Sequence, residues 1–132
     1  MECPYCQSRT SVENSRLQKR SNQVWRRRAC KACRAVFTTH EAIDLSTTLL
    51  VQNKADMEPF SAERLYADIL VCMPRRPDRY IAAKEAAFTV VVQLLTQQSS
   101  ATVTPQQIVQ STSKVLKALD SKAYLHYTAN HL

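Results

Sequence analysis

Glycine is absent from all 132 residues, where average usage near 7% would supply roughly nine. Every turn must therefore be built by Asn, Asp, Ser, Pro or a residue held in a strained conformation. A glycine-rich phosphate loop is excluded outright, so any bound phosphate would have to be held by side chains. Also missing are a long apolar run and a signal-peptide pattern at the N-terminus. The expectation is thus a soluble cytoplasmic protein with no membrane partner. No Ser-His-Asp set, open metal site or paired-carboxylate motif occurs, so the chain is not expected to be an enzyme. No internal repeat or low-complexity tract interrupts it.

Two Cys-x-x-Cys pairs are what the chain does have. Cys3-Pro-Tyr-Cys6 opens it, and Cys30-Lys-Ala-Cys33 follows with 23 residues between Cys6 and Cys30. Each tight knuckle offers two thiolates, and four thiolates satisfy a tetrahedral Zn²⁺. A cytoplasmic protein keeps thiols reduced, which favours a metal over disulfides. Four thiolates also leave no open position for water, so the site would be structural. A rubredoxin-like iron site uses the same ligand set and is the minor alternative. Residues 10–17 and 23–29 alternate as strands around a turn at 19–22, and residues 35–39 form a third strand with Phe37 placed to cover the metal. About forty residues are too few to hold together by burial alone, and the metal supplies the staple.

Charge concentrates in the same place. Residues 1–48 hold 9 Lys/Arg and 4 Asp/Glu, a net +5, while residues 49–132 hold 9 and 7, a net +2. Such a field favours a polyanion, with nucleic acid first and anionic lipid second. Arg16, Arg26, Arg27 and Arg28 are the candidate DNA contacts. Phosphate contacts give salt-dependent affinity and a bidentate arginine on guanine gives sequence choice. Strand alternation puts Arg26 and Arg28 on one face and Arg27 with Trp25 on the other. Trp25 is either core or a base-stacking platform.

The remainder reads as a second, mainly helical unit with its own core. A strand over 47–52 and a turn at 54–57 lead to a second short strand ending at Pro59. Ser61 caps a helix carrying Leu65, Ile69 and Met73, with Phe60 stapled onto Leu65 and Pro74 as its stop. A second helix spans 79–98, with Ile81, Phe88, Val91, Val92 and Leu95 as its apolar face, and a polar loop follows at 97–101. Thr104, Pro105 and Gln107 start a third helix with a capping box, whose inner side is Ile108, Val115 and Leu119. Residues 122–131 form the last helix. Cys72, the fifth cysteine, reads as a small buried side chain. His40, His126 and His131 belong to no ligand pattern. The fold class is α+β: a small all-β zinc ribbon over residues 1–45, then a mainly α-helical domain with a short β-hairpin over residues 46–132.

With these residues in view, the chain resembles the NrdR family, bacterial repressors of ribonucleotide reductase genes built from a zinc ribbon and an ATP-cone. The resemblance rests on Cys3-Pro-Tyr-Cys6, Asn14-Ser-Arg16, Arg26-Arg-Arg28-x-Cys30-x-x-Cys33, Phe37-Thr-Thr39-x-Glu41, Glu58-Pro-Phe60-x-x-x-Arg64-Leu65, Arg75-Arg-Pro77 and Lys117-Ala-Leu-Asp120-x-x-Ala123-Tyr124. It implies a zinc ribbon that recognises paired operator boxes on double-stranded DNA. It further implies a homo-oligomer whose assembly is set by ATP or dATP in the cone, a nucleotide-responsive transcriptional repressor. The nucleotide contacts it implies are Gln52, Lys54, Arg64, Arg75, Arg76 and Tyr124. Gln52 stands at the family's phosphate-facing lysine position, with Lys54 two residues on. The alternative is a constitutive DNA-binding or scaffold protein whose ATP-cone senses nothing.

Overall fold

The computed structural model describes residues 1–97 and 100–132. They divide into two compact units, Met1–Ile43 and Asp44–Leu132.

The first unit is a three-stranded antiparallel sheet, β1 (Thr10–Gln18), β2 (Gln23–Cys30) and β3 (Val36–Glu41), with β2 in the centre. Residues 19–22 make the β1–β2 turn, and Asn22 enters the left-handed region there (φ 48°). Asn tolerates that conformation better than most residues because its short polar side chain bonds locally. Opposite Val12 and Asn14 the register of β1 shifts, so Glu13 is an extra, bulged residue.

Burial in this unit is concentrated at the two knuckles. Cys3 and Cys30 are its only fully covered apolar residues, while Val12 and Leu17 remain exposed on β1. A sheet with so little core depends on a staple where its ends meet, as its length implies.

The second unit begins with α1 (Leu45–Thr48), then the hairpin β4 (Leu50–Asn53) and β5 (Asp56–Pro59). It continues with α2 (Ala62–Val71), α3 (Arg79–Gln97), β6 (Thr102–Val103), α4 (Pro105–Leu119) and α5 (Ser121–His131). β6 pairs parallel to β4, giving the order β5-β4-β6. The strand expected at 47–52 is corrected at its start. Asp44 caps a helical turn by accepting from the Ser46 backbone and hydroxyl, at 3.0 and 2.6 Å, so Thr47 and Thr48 are helical and extension begins at Leu50. A good cap outweighs the weak strand preference of two threonines. The turn is also tighter than expected, with Asp56 and Met57 already in β5.

Helix starts follow the sequence closely. Ser61 accepts from Arg64 N at 3.1 Å. Thr104 and Gln107 complete a reciprocal capping box, with bonds of 2.7 and 3.2 Å. Asp120 accepts from the Lys122 and Ala123 backbone at 3.0 and 3.1 Å and so opens α5. The buried faces differ more. On α3 the covered residues are Ala82, Ala83, Ala86, Ala87, Val90, Val91 and Leu94, whereas Ile81 is 69% exposed and Phe88 half-buried. The helix is rotated so that its alanine stripe faces inward, where small side chains permit close approach to neighbours. On α4, Ser111, Thr112 and Leu116 are buried and Leu119 is exposed. Thr112 tolerates this because its hydroxyl donates to the Ile108 carbonyl at 2.7 Å. Gln98 and Ser99, parts of the expected helix end and polar loop, lie outside the described residues.

Candidate metal centre, arginine sheet and cavity

The two knuckles are built alike. Gln7 N donates back to the Cys3 carbonyl at 2.9 Å, and Arg34 N to the Cys30 carbonyl at 3.0 Å. Both residues have positive φ, 60° and 61°, a conformation that usually falls to glycine. Cys3 N and Cys30 N are each satisfied from the far side of their own knuckle, by the Ser8 and Ala35 carbonyls at 2.9 Å. These turns bring the four thiols together. Cys3 and Cys33 sulfurs lie 3.6 Å apart, Cys6 and Cys30 sulfurs 3.5 Å apart, and all four sulfurs fall within 4.8 Å of one another. A tetrahedron with Zn–S bonds of about 2.3 Å has edges near 3.8 Å, so the set fits such an ion.

Electrostatics point the same way. The Ser8 backbone N–H and hydroxyl, with help from neighbouring thiols, pull Cys6 down to about 6. At Cys33 the Ala35 backbone N–H favours the thiolate, yet the crowding Cys6 sulfur and desolvation outweigh it and push the group up to about 12. Four thiolates this close repel one another unless a cation lies between them. A bound divalent metal ion is what the donor set is suited to hold.

Register fixes the arginines. Arg26 lies between Ser15 and Thr39, and Arg28 between Val12 and Phe37, on one face of the sheet. Arg27 lies between Asn14 and Thr38, and Trp25 between Arg16 and His40, on the other. The alternation expected for β2 holds. The first pair is braced: Arg26 donates to Glu41 at 2.9 Å and to Ser15 at 3.2 Å, and Arg28 Nε donates to Thr39 at 3.2 Å. Arg27 is looser, with Nε 3.8 Å from the bulged Glu13. Trp25 is half-buried.

In the second unit a cavity of about 420 Å³ opens beside the hairpin. Its apolar lining includes Val51, Phe60, Leu65 and Ile108, and its polar lining includes Asn53, Glu58, Ser61, Arg64, Asp68 and His131. The His131 ring stacks on Tyr127 with centroids 4.1 Å apart and planes 14° apart. Of the six nucleotide contacts expected, only Arg64 lines this cavity. On β4 the alternation turns Val51 and Asn53 toward it, which leaves Gln52 on the opposite face, and Lys54 sits in the hairpin turn with φ 56°. Arg76 is committed elsewhere, 2.7 Å from Asp78 and 3.2 Å from Asp120. Arg75 is exposed and does not line it, and Tyr124 is half-buried under the Lys117 ammonium at 5.8 Å. Asn53, Glu58, Asp68 and His131 also line the cavity, and the sequence alone does not group them. The period-two pattern of β4 and the i, i+4 spacing of Arg64 and Asp68 are the signals that could have found two of them.

The lining carries one guanidinium, Arg64, and two carboxylates, Glu58 and Asp68. Cys72, as expected, is buried. Its thiol donates to the Asp68 carbonyl at 3.3 Å, and burial pushes it up in pKa. No described helix is long and apolar enough to cross a membrane.

Residues 1–41 match the family described as "Transcriptional repressor NrdR-like, N-terminal domain". The similarity extends along the chain. A transcriptional repressor NrdR of Psychrobacter arcticus is 31% identical over 130 residues, covering 98% of this chain and 85% of the relative. Those of Ruthia magnifica and Brucella ovis are each 32% identical, covering 96% and 98% of this chain and 85% and 82% of the relatives.

Proposed function

Because the chain belongs to the NrdR family of transcriptional repressors, we propose that it is a zinc-dependent, DNA-binding repressor of ribonucleotide reductase genes, with its second unit acting as a ligand-responsive oligomerisation domain. The observation that carries the DNA-binding half is the central strand of the first unit. It presents Arg26, Arg27 and Arg28 in succession and runs directly into Cys30 of the four-thiol cluster. A metal held by Cys3, Cys6, Cys30 and Cys33 would fix the end of that strand and with it the spacing of the arginines. Its chemistry is structural, since four thiolates close its coordination. Braced arginines suit base edges, where orientation matters, and looser ones suit phosphates, where charge suffices. Occupying operator boxes ahead of a reductase gene would block its transcription.

The test is a footprint of the zinc-loaded full chain on DNA upstream of the reductase genes of its own genome. Protection of paired boxes is expected, lost when Arg26, Arg27 and Arg28 are replaced together by Ala while the helical signal of the second unit persists. Protection that survives the triple replacement refutes the arginine assignment.

The resemblance makes ATP or dATP the regulatory ligand of a homo-oligomer. Support for a ligand at all comes from the cavity and from Arg64 on its wall. A second reading, a constitutive DNA-binding or scaffold protein with an ATP-cone that does not sense, is favoured by the carboxylates Glu58 and Asp68 on the same wall. Light scattering with and without nucleotide separates the two.

A further inference from the structure

Arg26 is stretched across the sheet between its two outer strands. Its Nη1 donates to the Ser15 hydroxyl on β1 at 3.2 Å, and its Nη2 to the Glu41 carboxylate on β3 at 2.9 Å. Glu41 pairs with Val24 and Thr39 with Arg26, so Glu41 projects from the face that carries Arg26 and Arg28, at the last position of β3. The two arginines of that face are held differently. Arg26 has a counter-charge, whereas Arg28 is braced by the neutral Thr39 hydroxyl.

The Glu41 side chain is 70% exposed and that of Arg26 32%. An ion pair so open to water adds little to stability, so its effect falls on what approaches Arg26 from outside. A phosphate is an anion, and a carboxylate 2.9 Å from the guanidinium it would bind repels it. The N7 and O6 acceptors of guanine are neutral and are repelled far less. Each brace uses one N–H of a guanidinium that has five, and those left over suffice for a bidentate base contact. Glu41 thus leaves Arg26 its hydrogen-bonding capacity and cancels much of its pull on a nucleic-acid backbone.

We propose, resting on the DNA-binding reading above, that Glu41 is a specificity-determining residue of the arginine sheet. It orients Arg26 for a base edge and keeps it from serving as a phosphate contact on any sequence.

The experiment is filter binding of the zinc-loaded full chain across a salt series, on duplex from upstream of the reductase genes and on random duplex of equal length. The native chain is expected to prefer the former. Glu41→Gln keeps the length and an acceptor oxygen but removes the charge. It is expected to bind random duplex more tightly, with a salt dependence steeper by about one. The ratio of specific to random affinity is expected to fall by at least about threefold. Glu41→Ala removes the brace as well and should lower the ratio further. Neither substitution should move the ratio when Arg26 is already Ala. Zinc content and circular dichroism establish that each variant is folded. Simple loss of a negative charge near DNA would instead strengthen binding to both duplexes alike. A ratio unchanged by Glu41→Gln, or a fall that persists without Arg26, overturns the proposal and leaves the DNA-binding reading standing. A native chain that binds both duplexes equally overturns that reading, and the role of Glu41 with it.

Discussion

Arg76 Nη1 lies 3.2 Å from Oδ2 of Asp120, a residue 44 positions further along the chain. Arg76 sits in the link between α2 and α3, and Asp120 both ends α4 and caps α5. The contact therefore ties two helix junctions together. Its second arm reaches Asp78 at 2.7 Å. Both side chains of the long-range pair are about a quarter exposed or less, at 27% and 21%.

Arg76→Ala should lower the midpoint of thermal unfolding of the second unit by a few degrees, on the order of 3–6 °C. The pH dependence gives the sign. The Ala123 backbone N–H and then the Arg76 guanidinium hold Asp120 below the usual carboxylate range, and Arg76 does the same to Asp78. A depressed carboxylate contributes stability that is present above its unfolded pKa, about 3.9, and lost as pH falls through the folded value. Denaturant curves at pH 7 and pH 3 should thus differ less for the variant than for the native chain.

Cys30→Ser should release the metal and unfold the first unit. Cys30 is 2% exposed and carries both a thiol of the cluster and the end of β2. Elemental analysis should find metal lost, and the near-ultraviolet signal of Trp25 should collapse while the helices persist. Acidification should have the same effect on the native chain, since protons compete with the metal for thiolates. A variant with unchanged metal content would disprove the assignment.

Lys54→Gly and Arg34→Gly should each stabilise the chain by about 0.5–1 kcal/mol, because both positions have positive φ and a side chain that disfavours it. Thermal melts measure this directly. A control at Ala67, within α2, should move the other way by a similar amount.

Arg27→Ala should weaken DNA binding similarly on all sequences and reduce the salt slope by about one, as expected of a phosphate contact. Arg26→Ala should instead relax sequence preference, since it removes the side chain that Glu41 and Ser15 brace. Filter binding across a salt series on operator and random duplex distinguishes the two. An unchanged slope for Arg27→Ala would remove it from the interface.

Local rules made much of this protein legible. Cys-x-x-Cys spacing names the thiol cluster without coordinates, because four soft ligands in two tight turns have few other uses. Period two in β2 predicts which arginines share a face. Ser61, Thr104, Pro105 and Gln107 mark helix starts because capping is a contact between residues two or three apart. Sequence failed where the deciding partner was distant. The inner face of α3 was set by close packing of alanines, and apolar counting chose Ile81 instead. β6 is two residues long and exists only because β4 runs beside it.

The sequence by itself determined the zinc-ribbon chemistry, the arginine strip and the family, all carried by short-range spacing. It also determined that turns would be strained, since no glycine was available for Gln7, Arg34 or Lys54 to be replaced by. Tertiary structure alone decided which charges meet. It drew Arg76 into a clamp with Asp120, turned Gln52 away from the cavity, and put Glu58, Asp68 and Arg64 on the wall of one cavity. The physical reason is that a charge's role depends on what lies within a few ångströms of it in space, and residues far apart in the chain supply those neighbours.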